Sequence, residues 1–290
     1  MTPDASGATT AVPPWTGELL VADGQAVGED AAVREGAIGV TLRDIARGGI
    51  AGVIAGALVA GVGGRVVMRL AAVAVPDSRG GFTENGFVIG SITPAGSLGL
   101  IVFGTFAGLL VGAFWVAVAT WIPGTGVRRA LATMPLAVAV GGVGLVEGSN
   151  SDFRVLQNDP LVVAMLIGLV AAVGFVVALA DEVLDRRLPA VATSRGRVVV
   201  AYAVLAGIGA LITLPILAGG LFGGAPPRVA MSLALVVAGG ATLLWWKRRA
   251  DGVAAPSERL TLVARLALVA VVILGTMDLL PEVGEALRLP

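Results

Sequence analysis

Hydrophobic residues occur along the chain in long, nearly uninterrupted blocks, and polar residues collect in the short segments between them. A hydrocarbon core about 30 Å thick is crossed by a helix of about 20 apolar residues. Backbone groups have no water to bind at that depth, so each block is predicted to be a helix that satisfies its own hydrogen bonds. The blocks predict about seven spans, at residues 48–74, 98–122, 130–146, 161–180, 198–221, 229–246 and 262–280.

Composition supports a membrane protein rather than a soluble one. Hydrophobic residues make up 56% of the chain and charged residues only 14%, whereas a soluble domain carries roughly 25% charged residues. The predicted fold class is an all-α, polytopic membrane helix bundle. Residues 1–40 are polar and acidic and predict a disordered cytoplasmic tail, and residues 41–290 predict a single transmembrane bundle.

Basic residues predict the orientation, because the loops that stay in the cytoplasm collect Lys and Arg. They cluster before the first span, between the second and third, between the fourth and fifth, and between the sixth and seventh. The residues are Arg43, Arg47, Arg128, Arg129, Arg186, Arg187, Arg195, Arg197, Lys247, Arg248, Arg249 and Arg259. This pattern predicts a cytoplasmic N-terminus and an outside C-terminus in the inner (plasma) membrane of a bacterial-type cell.

Tryptophan positions agree with these ends. Trp121, Trp245 and Trp246 end predicted spans on the cytoplasmic side, which indicates an interfacial aromatic belt. Trp115 lies too far inside the second span for that belt and is predicted to pack between helices.

Small residues predict close helix packing. Gly48, Gly52 and Gly56 repeat every four residues on one face of the first span, and glycine on such a face lets two backbones approach. We expect packing within the chain; the alternative is a homo-oligomer face. Pro135 and Pro215 lie inside the third and fifth spans and predict kinks.

Arg65 and Arg69 are the most informative polar residues. They lie four apart near the outer end of the first span, so they share a face, and an unpaired charge facing lipid is costly. One hypothesis is an ion-pair network in which Glu147 and Asp278 pair with them and fix the packing of three spans. The other is an outward pocket in which the arginines bind a small anionic ligand or a lipid headgroup.

Two polar segments carry smaller predictions. The loop between the third and fourth spans contains Phe153, Val155 and Leu156, which predict that it docks onto the mouth of the bundle. Glu182 and Arg186, four residues apart, predict that the fourth span continues into water as a helix with an ion pair.

Several chemistries lack the residues that they need. The chain has no Cys and no His, which excludes disulfides, thiolate or imidazole metal sites and histidine-ligated haem, so no cofactor and no metal are predicted. The last span contains no lysine for a retinal Schiff base, and a net charge of zero argues against a nucleic-acid partner. An enzyme is disfavoured, because catalysis would have to rest on carboxylates, Ser, Thr, Arg or the single Tyr202.

Two functions therefore compete. The first is a transporter or small-ligand-binding membrane protein with an outward polar pocket around Arg65 and Arg69. The second is a non-catalytic scaffold or accessory subunit whose intramembrane charges are structural. In both, the lipid bilayer is the principal partner.

Overall fold

Helices account for nearly all of the regular structure. The structure is a computed structural model, and it describes residues 38–83, 86, 88–148, 150–157, 159–188, 200–205, 207–209, 211, 219 and 226–288. Its helices are α1 (Ile38–Ala74), α2 (Pro94–Val118), α3 (Gly126–Leu145), α4 (Ser151–Val155), α5 (Pro160–Arg187), α6 (Val200–Gly209), α7 (Pro226–Ala250) and α8 (Glu258–Arg288). These residues contain no β-strand, so the predicted all-α fold class is confirmed.

Five of the described helices are long and apolar enough to cross a membrane. They are Ile38–Ala74, Pro94–Trp121, Pro160–Arg187, Pro226–Ala250 and Glu258–Leu287, and they match the first, second, fourth, sixth and seventh predicted spans. The third predicted span, 130–146, lies mainly in α3, which is helical but is not among these five. The fifth, 198–221, lies mostly outside the described residues, as does nearly all of the predicted tail 1–40.

Capping side chains fix where α2 and α5 begin. Both helices have a proline at their first position, where the missing N–H costs no hydrogen bond. The hydroxyl of Thr93 accepts a hydrogen bond from the Gly96 N–H at 3.2 Å, and the carboxylate of Asp159 accepts one from the Leu161 N–H at 2.7 Å. These caps satisfy N–H groups that a helix start leaves unpaired.

Glycines join α1 to α2 at close range. A Cβ atom added at Gly52 or Gly56 of α1, or at Gly104 or Gly108 of α2, would come within 3.0 Å of backbone atoms of the opposite helix. The predicted packing within the chain is therefore confirmed. This face of α1 is covered by α2 and is not free to form a homodimer.

A π-helical segment of α1, Gly56–Gly63, extends the same interface. A strict four-residue repeat would bring Ala60 to α2 after Gly56. The wider π-helical turn instead presents Gly61, whose added Cβ would lie 2.8 Å from Cα of Ile101. The segment keeps a glycine at the contact for one further turn.

Ion pairs between helix ends show which ends lie together. Arg47 near the start of α1 and Arg129 near the start of α3 both pair with Asp181 near the end of α5. Arg249 near the end of α7 pairs with Asp44 of α1. We call this end of the bundle the basic end. The opposite end, covered by the loop of residues 76–93 and by α4, we call the loop end.

α3 packs closely against α5 and α8. Gly174 of α5 lies against Thr133 and Ala137 of α3, and Gly275 of α8 lies against Ala139. Two charged residues, Arg128 and Arg129, lie in the first turn of α3 and lower its hydropathy. Pro135 lies inside this helix as predicted, whereas Pro215 lies outside the described residues.

The loop end is covered by segments that dock through apolar side chains. Phe153 of α4 is buried with Val143, Val146 and Leu279, and Leu156 is buried in a second cluster. The predicted docking of this loop is confirmed.

The predicted aromatic belt is wrong for Trp121 and Trp245, which are buried at 1% and 8% exposure. The indole N–H of Trp121 donates to the Thr242 hydroxyl at 2.8 Å. The hydroxyl in turn donates to the Ala117 carbonyl oxygen at 2.6 Å. Trp121 therefore faces α7 rather than the bundle surface, and it lies in a three-residue 3₁₀ turn, Ala119–Trp121, that follows α2.

Candidate functional site

Arg65 and Arg69 both lie against the loop of residues 76–93. Arg65 is 6% exposed, and its guanidinium lies 3.5 Å from the Ser91 carbonyl oxygen. It also lies directly over Gly96, where any Cβ would collide with it. Arg69 is exposed and donates to the Gly90 carbonyl oxygen. As predicted, the two arginines share a face, and these bonds connect that face to the loop.

Asp278 pairs with a different arginine from the predicted ones. Its carboxylate lies 2.8 Å from Nε of Arg228, near the start of α7, and Glu282 of α8 lies 3.2 Å from the same guanidinium. Glu282 also accepts from the Gly148 N–H at 2.9 Å. The predicted pairing of Asp278 with Arg65 or Arg69 is thus replaced, because α7 lies beside α8 and brings Arg228 to it. Glu147 is exposed, and its pairing with Arg65 or Arg69 stays a prediction.

An ion-pair network centred on one buried carboxylate, Asp181, lies at the basic end. Asp181 is 2% exposed, and its carboxylate lies 2.6 Å from Nε of Arg47 and 3.5 Å from Nη1 of Arg129. Arg47 also pairs with Asp185, which lies 2.9 Å from Arg43. We call these residues, together with Asp44, the inner network.

The sequence carries a spacing signal for the inner network. Arg43 and Arg47 lie four apart on α1, and Asp181 and Asp185 lie four apart on α5. Two such pairs on antiparallel helices match in spacing and in charge. The predicted pair of Glu182 with Arg186 is confirmed at 2.5 Å, but the residue beside it, Asp181, faces the bundle rather than water.

Trp115 packs against the inner network, and its predicted position between helices is confirmed. It is 2% exposed, and the Arg129 guanidinium lies 4.8 Å from the centre of its ring, within cation–π range. Arg129 also donates to the Ala119 carbonyl oxygen. A small cavity of about 30 Å³ adjoins this cluster and is lined in part by Asp44, Arg47 and Asp181.

A much larger cavity lies between α1, α2, α6 and α7. Its volume is about 520 Å³, within the range of small-molecule sites. We call it the apolar groove. Its lining includes Ile45, Gly49, Ile50 and Val53 of α1, Leu109, Ala113, Val116 and Ala117 of α2, Leu205 and Ile208 of α6, and Gly239, Thr242, Leu243 and Trp246 of α7.

The lining of the apolar groove is almost entirely hydrocarbon. Among the described residues that line it, only Thr242 and Trp246 have polar side-chain atoms. The Thr242 hydroxyl is already bonded to Trp121 and Ala117. Leu205, Ile208 and Leu243 are exposed, so the groove opens at the surface of the bundle.

The two cavities are neighbours at the basic end. Val116 and Trp246 line both of them. Neither cavity is lined by Arg65 or Arg69, so the apolar groove lies apart from the predicted outward pocket.

No protein-family model matches the chain, and comparison with curated proteins and with solved structures finds no similar protein.

Proposed function

We propose that this protein is a multi-pass membrane protein that binds the hydrocarbon chain of a lipid in the apolar groove. The observation that carries the proposal is a cavity of about 520 Å³ whose walls belong largely to helices apolar enough to cross a bilayer. Acyl chains surround such helices, and a lipid chain is the ligand whose chemistry matches these walls.

We further propose seven crossings, with the N-terminus in the cytoplasm of a bacterial-type cell. Two observations support this. α5 ends at the basic end and α7 begins at the loop end, so the chain between Leu188 and Pro226 connects opposite ends of the bundle. With α1, α2, α3, α5, α7 and α8, that connection makes seven. Positive charge collects at the basic end, which the positive-inside rule assigns to the cytoplasm.

The shape of the groove, rather than its hydrophobicity, has to favour a lipid chain in the groove over the same chain in the bilayer. A lipid chain that leaves the bilayer for the groove gains little from the hydrophobic effect, because lipid tails are as apolar as the walls. Gly49 and Gly239 leave room for the chain to approach the helix backbones. Closer approach gives more dispersion contacts for each methylene group.

This proposal moves the ligand site away from Arg65 and Arg69. Their bonds to the Ser91 and Gly90 carbonyl oxygens favour a structural role, in which they hold the loop of residues 76–93. A role in transport stays a prediction from the sequence.

The test fills the groove with side chains. A Cβ at Gly49 meets no heavy atom within 4 Å, and one at Gly239 meets Ala117 at 3.8 Å, so Gly49→Leu and Gly239→Leu are tolerated by the backbone. Gly240→Leu is the matched control, since its Cβ also meets no atom within 4 Å and it does not line the groove.

Lipid binding is measured by native mass spectrometry of the detergent-purified protein titrated with phosphatidylcholine. We expect the wild type and Gly240→Leu to retain one lipid, and the two groove variants to lose it. Equal lipid retention by all four proteins would contradict the proposal.

A second candidate function is a scaffold or accessory subunit without a ligand. The inner network favours it, because Asp181 is shared by Arg47 and Arg129 and Asp44 by Arg47 and Arg249. Charges paired in this way hold helices together. For a scaffold, the groove variants would bind as much lipid as the wild type.

A further inference from the structure

We propose that the lipid in the apolar groove has an anionic headgroup, which Lys247 binds at the basic end. This inference rests on the proposed function, because it requires a lipid in the groove. It adds the chemical class of the headgroup and the residue that recognises it.

Helical spacing brings Lys247 to the end of the groove. Gly239, Leu243 and Lys247 follow one another at four-residue intervals along α7, and the first two line the groove. Residues four apart lie on neighbouring turns of one face. Lys247 is therefore one turn beyond the groove in the direction of the basic end, beside Trp246.

Lys247 is the cation at this position that is available to a ligand. Arg249 pairs with Asp44 at 3.3 Å, and Arg248 donates to the Ser257 hydroxyl at 3.1 Å. Lys247 is exposed and forms no ion pair with any other residue of the described chain. Its ammonium group can therefore meet a phosphate without first breaking a bond inside the protein.

The polar end of the lipid is where selectivity can arise. The hydrocarbon walls accept any chain of suitable length, so they do not discriminate between headgroups. Zwitterionic phosphatidylcholine carries its own cation beside the phosphate, whereas phosphatidylglycerol has net negative charge. One lysine near a membrane surface favours an anionic lipid by about fivefold.

The experiment is a competition between two lipids with identical acyl chains. Native mass spectrometry of the purified protein, in a neutral detergent at low salt, measures the ratio of bound phosphatidylglycerol to bound phosphatidylcholine. We expect the wild type to prefer phosphatidylglycerol by about fivefold. Lys247→Gln should bind both lipids equally, and Lys247→Arg should restore the preference.

The control is Arg187→Gln at the end of α5. Arg187 is also an exposed cation at the basic end but does not line the groove, so its loss should leave the ratio unchanged. An unchanged ratio in Lys247→Gln, or an equal loss in Arg187→Gln, would overturn the headgroup assignment.

The two proposals fail in different ways. If Gly49→Leu retains both lipids, the groove is not the binding site and the proposed function fails. If Gly49→Leu loses both lipids but Lys247→Gln keeps the wild-type ratio of bound phosphatidylglycerol to bound phosphatidylcholine, the groove is still the binding site but Lys247 does not recognise the headgroup.

Discussion

Asp181 of α5 lies 2.6 Å from Nε of Arg47 of α1 and is 2% exposed. The same carboxylate lies 3.5 Å from Arg129 of α3, so one side chain connects three helices at the basic end. Both guanidiniums are largely shielded from water, with side chains that are 17% exposed. Such a pair is costly to break from the side of Asp181, because Arg129 forms no other ion pair among the described residues, and Arg47 keeps only its contacts with Asp44 and Asp185.

We predict that Asp181→Asn destabilises the bundle by about 3–5 kcal/mol, since it leaves Arg47 and Arg129 facing a neutral amide. The matched control is Asp185→Asn, one turn later on the same helix. The Asp185 side chain is 51% exposed, and an exposed pair contributes only up to about 1 kcal/mol. The measurement is the free energy of unfolding by titration with a denaturing detergent. Equal losses in the two variants would show that burial of Asp181 does not matter.

The glycine contact between α1 and α2 leads to a second prediction. Gly52→Ala places a Cβ within 3.0 Å of the backbone of Gly108 and Gly112, which forces the helices apart and costs about 1–3 kcal/mol. Gly49→Ala is the control on the same helix, because its Cβ meets no heavy atom within 4 Å and alanine favours a helix. We expect a lower unfolding midpoint for Gly52→Ala and an equal or higher one for Gly49→Ala. A higher unfolding midpoint for Gly52→Ala than for Gly49→Ala would be incompatible with this packing.

Features that depend on local pattern were predictable from the sequence. Block hydropathy located the five long apolar helices, and the four-residue repeat of Gly48, Gly52 and Gly56 predicted a close helix contact. Both depend on residues near one another in the chain. The apolar side chain of Phe153 likewise predicted that its loop docks.

Features that depend on which helices are neighbours were not predictable in the same way. The sequence places Asp278, Arg65 and Arg69 near one predicted membrane face, yet the packing of α7 against α8 gives Asp278 Arg228 as its partner. The sequence likewise places Trp121 at the end of a span, where an interfacial position is expected, yet α7 covers it. The apolar groove has no sequence signal of its own, since its walls are ordinary apolar residues of four helices.

Thr242 carries a third prediction because its hydroxyl joins α2 to α7. Thr242→Val keeps the shape but removes the acceptor for the Trp121 indole N–H and the donor to the Ala117 carbonyl oxygen. Hydrogen bonds between membrane helices are worth about 0.6 kcal/mol on average and up to about 1.7, so a loss in that range is expected. Thr242→Ser keeps the hydroxyl and should lose less. Tryptophan fluorescence during thermal unfolding follows both variants, and equal stability of Thr242→Val and the wild type would argue against the bond.

The proposed seven crossings can be tested with single cysteines, because the chain has none of its own. Asp77→Cys at the loop end should react with a membrane-impermeant maleimide on intact cells. Asp251→Cys, between α7 and α8 at the basic end, should react only after permeabilisation. The reverse pattern would invert the orientation.

The same reagent tests the crossing between α5 and α7 through the positions on either side of it. Arg187 is exposed at the end of α5 and Pro226 is exposed at the start of α7. Because α5 ends at the basic end and α7 begins at the loop end, the chain between them has to cross the membrane an odd number of times if the basic end is cytoplasmic. We expect Pro226→Cys to react on intact cells and Arg187→Cys to be protected until the membrane is opened. If both positions were labelled from one side, the chain would cross the membrane an even number of times between them. The seven-span topology would then be wrong.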